Sequence, residues 1–134
     1  MPLLLPVEDT TTDLRIAADM AQQAGFNEIE VSRLAADAHR YLQNCVEGTS
    51  PCPDAMVIDL DLGYDSGFEI LRLWHGTEAL KKIPLIVWSV MGDHESEMCS
   101  LFHIDRFISK RDSPHVLREA LENIIGRIGE AAGG

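Results

Sequence analysis

Short apolar runs alternate with longer amphipathic ones along this chain, and each such pair reads as a strand followed by a helix. Residues 3–7 are apolar throughout and predict a first strand, despite Pro6. Thr11, Thr12 and Asp13 offer N-caps for a helix whose inward stripe is Leu14, Ile16, Ala17, Met20 and Ala21, and Gly25 supplies its stop. Residues 28–32 alternate polar and apolar, the mark of a moderately exposed second strand. A second helix runs from Ala35 to about Cys45, and Ser50-Pro51-Cys52-Pro53 is a loop. Residues 55–60 are apolar on both faces, as suits a central parallel strand covered on each side. Ser66-Gly67-Phe68-Glu69 is a capping box, followed by Ile70, Leu71, Leu73 and Trp74 on one helical side and a stop at Gly76. Residues 84–89 predict a fourth strand, 93–102 a short helix with Met98, Leu101 and Phe102 inward, and 107–109 a fifth strand. Ser113 caps the last helix, with Pro114 at its first position and Val116, Leu117, Leu121, Ile124, Ile125 and Ile128 as its stripe.

Five strand–helix units predict an α/β fold: a doubly wound, five-stranded parallel sheet with helices on both faces and right-handed crossovers. The 134 residues then make one domain, with a core over about 3–128 and a flexible tail at 129–134. In such open sheets a site lies at the carboxyl ends of the strands, near the point where strand order reverses.

Composition narrows the function classes. A hydrophobic fraction of 46% and a charged fraction of 25% are those of an ordinary globular protein. Eleven basic against 22 acidic residues give a net charge of −11, which argues against nucleic-acid binding and against docking on anionic membranes. No apolar run approaches the roughly 18 residues of a membrane span. The first six residues are apolar but carry no basic flank and no small-residue cleavage site, so they are not read as a signal peptide. Cys45, Cys52 and Cys99 are odd in number and lack CxxC spacing, and are read as reduced, partly buried thiols of a cytoplasmic protein. The five histidines are scattered without a zinc-binding spacing.

The strand ends carry the chemistry. The first gives Glu8 and Asp9, the third Asp59, the fourth Ser89 and the fifth Lys110. Taken singly, acids there cap the next helix, and a lysine after a strand is solvated. Together they put three carboxylates, a hydroxyl and an amine on one edge. Clustered carboxylates repel and raise one another's pKa values. A divalent cation relieves this, and an all-oxygen site with few protein ligands suits Mg2+. Mg2+ and a lysine ammonium together hold the oxygens of a phosphoryl group. Asp59 is then a nucleophile that forms an aspartyl phosphate, with Ser89 hydrogen-bonding a phosphoryl oxygen.

"VED" at 7–9, "VIDLDLGYDSGFEIL" at 57–71, "PLIVWS" at 84–89 and "FISK" at 107–110 resemble the receiver domain of two-component response regulators, over about residues 3–128. The resemblance implies a flavodoxin-like sheet of order 2-1-3-4-5. It implies Glu8 and Asp9 as the acidic pair, Asp59 as phosphoacceptor, Ser89 as switch hydroxyl, Phe107 as switch aromatic and Lys110 as phosphate-binding lysine. It further implies Mg2+ held by Asp9 and Asp59 directly, by Glu8 through water and by the backbone carbonyl of Asp61. On their own, Phe107 reads as a core residue and Ser89 as a cap of the following loop. The chain departs from the family at Gly63 and Arg111, where proline is usual, at Val90, where a small residue is common, and at Thr10, often an acid or amide. With Arg111 in that place, the cis peptide common after the lysine is not required. None of these departures removes a required functional group, which implies a competent receiver.

The implied function is acceptance of phosphate on Asp59 from a sensor histidine kinase or phosphotransfer protein, and signalling through contacts with a downstream protein. No enzymatic activity is implied beyond the chain's own phosphorylation and dephosphorylation. The resemblance also leaves room for a homodimer through the fourth helix, fifth strand and fifth helix. Two rivals stand beside it. "DLDLGYD" is similar to the Asp-x-Asp of haloacid-dehalogenase-type phosphatases, with Asp59 as nucleophile and Asp61 as acid/base, although that family places its acidic pair after the lysine. The other is a docking module on the same fold that works without phosphorylation.

Overall fold

The period-two and period-3.6 patterns resolve into a sheet with helices on each face. The computed structural model of the chain describes residues 2–62, 65–90 and 92–133, with the backbone alone at 65, 93, 94, 98 and 130–133. The elements are β1 (Leu3–Val7), α1 (Thr11–Ala24), β2 (Glu28–Ile29), α2 (Ala35–Glu47), β3 (Ala55–Ile58), β4 (Asp61–Leu62), β5 (Asp65–Ser66), α3 (Gly67–Gly76), α4 (Glu78–Lys81), β6 (Leu85–Ser89), α5 (Asp93–Ser100), β7 (Arg106–Ser109) and α6 (Pro114–Gly133). Five strands form one parallel sheet in the order β2-β1-β3-β6-β7. Counted among those five alone, the order is 2-1-3-4-5, as the family resemblance implies. No helix among the described residues is long and apolar enough to cross a membrane.

Alternation along the strands divides the core in two. Leu5, Val7, Met56, Ile58, Leu85 and Val87 face α2 and α3, where Leu42, Ile70, Leu71 and Trp74 meet them. Leu4, Ala55, Val57, Ile86, Trp88 and Ile108 face α1 and α6, against Ala17, Ala21, Leu117, Leu121 and Ile124. Pro6 lies in a strand paired on both sides, where it has no N–H to give. Its carbonyl still accepts from Ser32 N at 3.1 Å, so the strand is held beside its neighbour past β2.

Several expectations need correction. The second strand is regular only over Glu28–Ile29, although the chain stays against β1 through Glu30 N to Leu4 O at 2.9 Å and a bridge between Val7 and Ser32. Thr11, Thr12 and Asp13 lie inside the first turn of α1; Thr10 is the N-cap residue, without a side-chain cap bond. The third strand ends at Ile58, and the segment after it forms an antiparallel β4–β5 pair that no periodicity announced. Leu101, expected inward, is 73% exposed because α5 ends at Ser100 and the helical spacing no longer applies. The side chain of Met98, and Gly63, lie outside the described residues. Helix α6 continues to Gly133 across the expected tail, through Ala131 and Ala132, both strong helix formers.

The cysteines differ as well. Cys45 and Cys52 form a disulfide with their Cα atoms 4.9 Å apart, while Cys99 is free and buried. Gly48, at φ 84°, ends α2 and turns the chain back, which brings the loop cysteine beside the last turn of the helix. The same loop is fastened by Tyr41, whose hydroxyl donates to Pro51 O at 2.7 Å.

Helix α3 starts under Asp59. Ser66 caps it by accepting from Phe68 N at 3.1 Å, and Gly67 N donates to Leu60 O at 3.0 Å. A Cβ on Gly67 would collide with the backbone carbonyl oxygen of Asp59. Gly67→Ala should therefore destabilise the fold by about 1–3 kcal/mol, the usual cost of overpacking. Urea denaturation tests this, and an unchanged midpoint would contradict the close approach.

Candidate functional site

Three backbone hydrogen bonds set the strand ends level. Glu8 N donates to Ser32 O at 3.0 Å, Asp59 N to Val7 O at 3.0 Å, and Lys110 N to Ser89 O at 2.9 Å. The residues that follow the apolar runs therefore emerge along one edge. Glu8, Asp59 and Ser89 are buried there. Burying three polar side chains is costly unless they satisfy one another.

They do so around two centres. Asp59 Oδ1 accepts from the Ser89 hydroxyl at 2.9 Å and from Asp61 N at 3.1 Å. Asp59 Oδ2 accepts from Lys110 Nζ at 2.9 Å. The same ammonium donates to Glu8 Oε2 at 2.6 Å and to Asp13 Oδ2 at 2.7 Å. It also lies 4.9 Å from the centroid of the Trp88 ring, within cation–π range. Burial alone would lower the Lys110 pKa, but the hydrogen bonds to Asp13, Glu8 and Asp59 outweigh it and push the value above that of an ordinary lysine. Burial raises Glu8 to about 7, aided by repulsion from Asp59 and Asp13 and opposed by its bond to Lys110.

Oxygens of Glu8, Asp9 and Asp59 lie within 4.8 Å of one another. Glu8 Oε1 is buried without a hydrogen-bond partner among the described residues. An orphan carboxylate oxygen beside two further hard oxygen donors fits a divalent cation. Asp9, Thr10, Asp13, Asp59, Asp61, Val90 and Lys110 line one open cleft over these atoms. Val90, half exposed, stands on its rim. Phe107 lies a strand away, opposite Val87 and partly buried against the core on the α3 side. No cis peptide bond occurs among the described residues, at Lys110–Arg111 or elsewhere.

Glu8, Asp9, Asp59, Ser89 and Lys110 are thus brought together, and Asp61 borders them. Three contributors were not singled out from sequence. Asp13 reads as a helix cap, yet its place one helical turn after Asp9 returns it to the edge of the sheet. Arg33 donates to Asp9 O at 3.2 Å and to Thr11 Oγ1 at 3.1 Å, tying the segment after β2 to the loop after β1. Trp88 reads as core and carries no mark of its place beneath the lysine.

No family model matches the chain. It is 26% identical, over 81% of its length and 76% of the relative's, to response regulator Rcp1 of Synechocystis sp. (strain ATCC 27184 / PCC 6803 / Kazusa). Its fold is similar to the crystal structure of the Mn2+-bound form of Rcp1, with a TM-score of 0.76 and 24% identity over 92% of this chain and 91% of that one. The structure of the phosphorylated cyanobacterial phytochrome response regulator RcpA is similar to the same degree, with a TM-score of 0.76 and 24% identity over 92% and 90%. The chain has the receiver fold of response regulators, and the resemblance of its motifs to that family extends to sequence and structure.

The raised Glu8 carboxyl has a consequence for stability. A group that holds its proton more tightly when folded favours the folded state at and below its ordinary value of 4.5, and that advantage is lost as pH rises through about 7. With a chelator present, the melting temperature should fall between about pH 5 and about pH 8. Glu8→Gln should flatten that slope. An equal slope in the variant would assign the effect to another group.

Proposed function

We propose that this chain is a phosphoacceptor receiver of a two-component phosphorelay, which takes a phosphoryl group on Asp59 and signals through a change of conformation read by other proteins. The observation that carries the reading is the Asp59 carboxylate, buried and held between the Ser89 hydroxyl and the Lys110 ammonium. The donor is a phosphohistidine on a sensor histidine kinase or a phosphotransfer protein. Its P–N bond breaks as an Asp59 oxygen attacks phosphorus, and the imidazole leaves with the electron pair.

Asp9 and Asp59 directly, Glu8 through water and the Asp61 backbone carbonyl would hold Mg2+, which would supply neutralising charge to the phosphoryl oxygens. Lys110 donates to another of those oxygens. Ser89 turns its hydroxyl from Asp59 to the phosphoryl group, and Phe107 moves inward into the space this leaves. Phosphorylation selects the conformation in which these contacts are made, because its interaction energy differs between the two states. The affected face, built from α5, β7 and α6, is where a downstream protein or a second copy docks.

The role is one of signalling, with catalysis confined to the chain's own phosphorylation and loss of phosphate. The location is cytoplasmic, where the kinase presents its phosphohistidine. The haloacid-dehalogenase reading is less well supported, since the acids grouped with Asp59 at Lys110 and in the oxygen cluster, Glu8, Asp9 and Asp13, all precede it in the chain.

Incubation with Mg2+ and acetyl phosphate should add about 80 Da, one phosphoryl group on the nucleophile, and Asp59→Asn should abolish the adduct. Undiminished labelling of that variant in mass spectrometry sinks the assignment. Mg2+ should also raise the melting temperature by mass action, and Asp9→Ala should remove most of that rise. A Mg2+-dependent shift that survives in Asp9→Ala would place the cation elsewhere.

A further inference from the structure

The Lys110 ammonium has three N–H donors, and three carboxylates take them. Two of the three belong to the chemistry proposed above: Asp59 is the nucleophile, and Glu8 belongs to the cation-binding oxygens. Asp13 belongs to neither. It comes from the first turn of α1, its side chain is 26% exposed, and it lies outside the group of oxygens around the cation position. Even so, its bond to Lys110, at 2.7 Å, is shorter than that of Asp59, at 2.9 Å.

We infer that Asp13 is a positioning residue that competes with the phosphoryl group for the Lys110 ammonium and so restrains phosphorylation of Asp59; the inference rests on the phosphoacceptor reading. An incoming phosphoryl group brings more negative charge to the side of Lys110 that already faces Asp59. The ammonium must turn its donors toward that group. The Asp13 carboxylate holds one donor away and repels the arriving anion. Lys110 does not depend on Asp13 to stay in place, because Glu8 at 2.6 Å and the face of Trp88 hold it from other directions. Nor does α1 depend on it as a cap, since Thr10 occupies that position.

The resting charge balance agrees. Glu8, Asp13 and Asp59 surround one cation, and Asp9 and Asp61 add two further acidic residues along the same cleft. Removing the carboxylate that the reaction does not use brings the site nearer neutrality without removing a group that touches the phosphoryl oxygens.

The test is the initial rate of labelling by acetyl phosphate at saturating Mg2+, followed by mass spectrometry, for the parent, Asp13→Asn and Asp13→Glu. Asparagine keeps the size of the side chain and its oxygen acceptor but not its charge, so Asp13→Asn should label roughly fivefold faster, the order expected from removing one nearby like charge. Asp13→Glu restores the charge and should label at the parent's rate. A purely structural role for Asp13 would slow the asparagine variant or leave it unchanged, and either result overturns the inference, as does a glutamate variant as fast as the asparagine one. If the parent itself takes up no phosphoryl group, the phosphoacceptor reading fails and this inference fails with it; if the parent is labelled and Asp13→Asn is no faster, this inference alone fails.

Discussion

Electrostatic neutrality at Lys110 is the constraint on which the rest of the site depends. Its ammonium gathers carboxylates that follow β1, open α1 and follow β3, and it does so from the end of β7. Without that cation, three acids brought together at one edge of the sheet would repel, and a buried ion left without its partner costs about 3–5 kcal/mol. The lysine therefore lets the chain assemble its acids before any metal or phosphoryl group arrives. It is also why Glu8 can be buried so deeply with one oxygen still unpartnered.

The sheet was legible because each of its central strands is a nearly unbroken apolar run that stops at a polar residue. The position of Asp59 followed from the same fact: the run at 55–58 ends where the backbone leaves the sheet. Ser89 and Lys110 were legible for the same reason, each standing at the end of its own strand. What escaped the pattern was decided by short or non-local geometry. The β4–β5 pair has two residues a side, too few for alternation to register. The pairing of Cys45 with Cys52 depends on the turn after α2, and the expectation of free thiols came from counting and spacing alone.

Asp13 and Leu101 show two further limits. An acid near the start of a helix has two readings, as a cap or as a group aimed back at the strand end, and the first is the commoner. The lysine that decides between them is 97 residues away in sequence. For Leu101 the error was one of boundary: a helix that stops at Ser100, two residues early, leaves the next apolar side chain without a face to occupy.

The alternation of side chains along β6 and β7 gives the two halves of the molecule unequal parts to play. Val87 and Phe107 belong to the layer that includes α2, α3 and Cys99 of α5; Trp88 and Ile108 belong to the layer of α1 and α6. A displacement of Phe107 would press on the first layer, against which it is packed. The second layer is backed by two long helices, α1 and α6, whose apolar side chains share one core cluster. A disturbance that starts at Phe107 would thus meet the layer of α2 and α3 before that of α1 and α6, which lies behind the other face of the sheet.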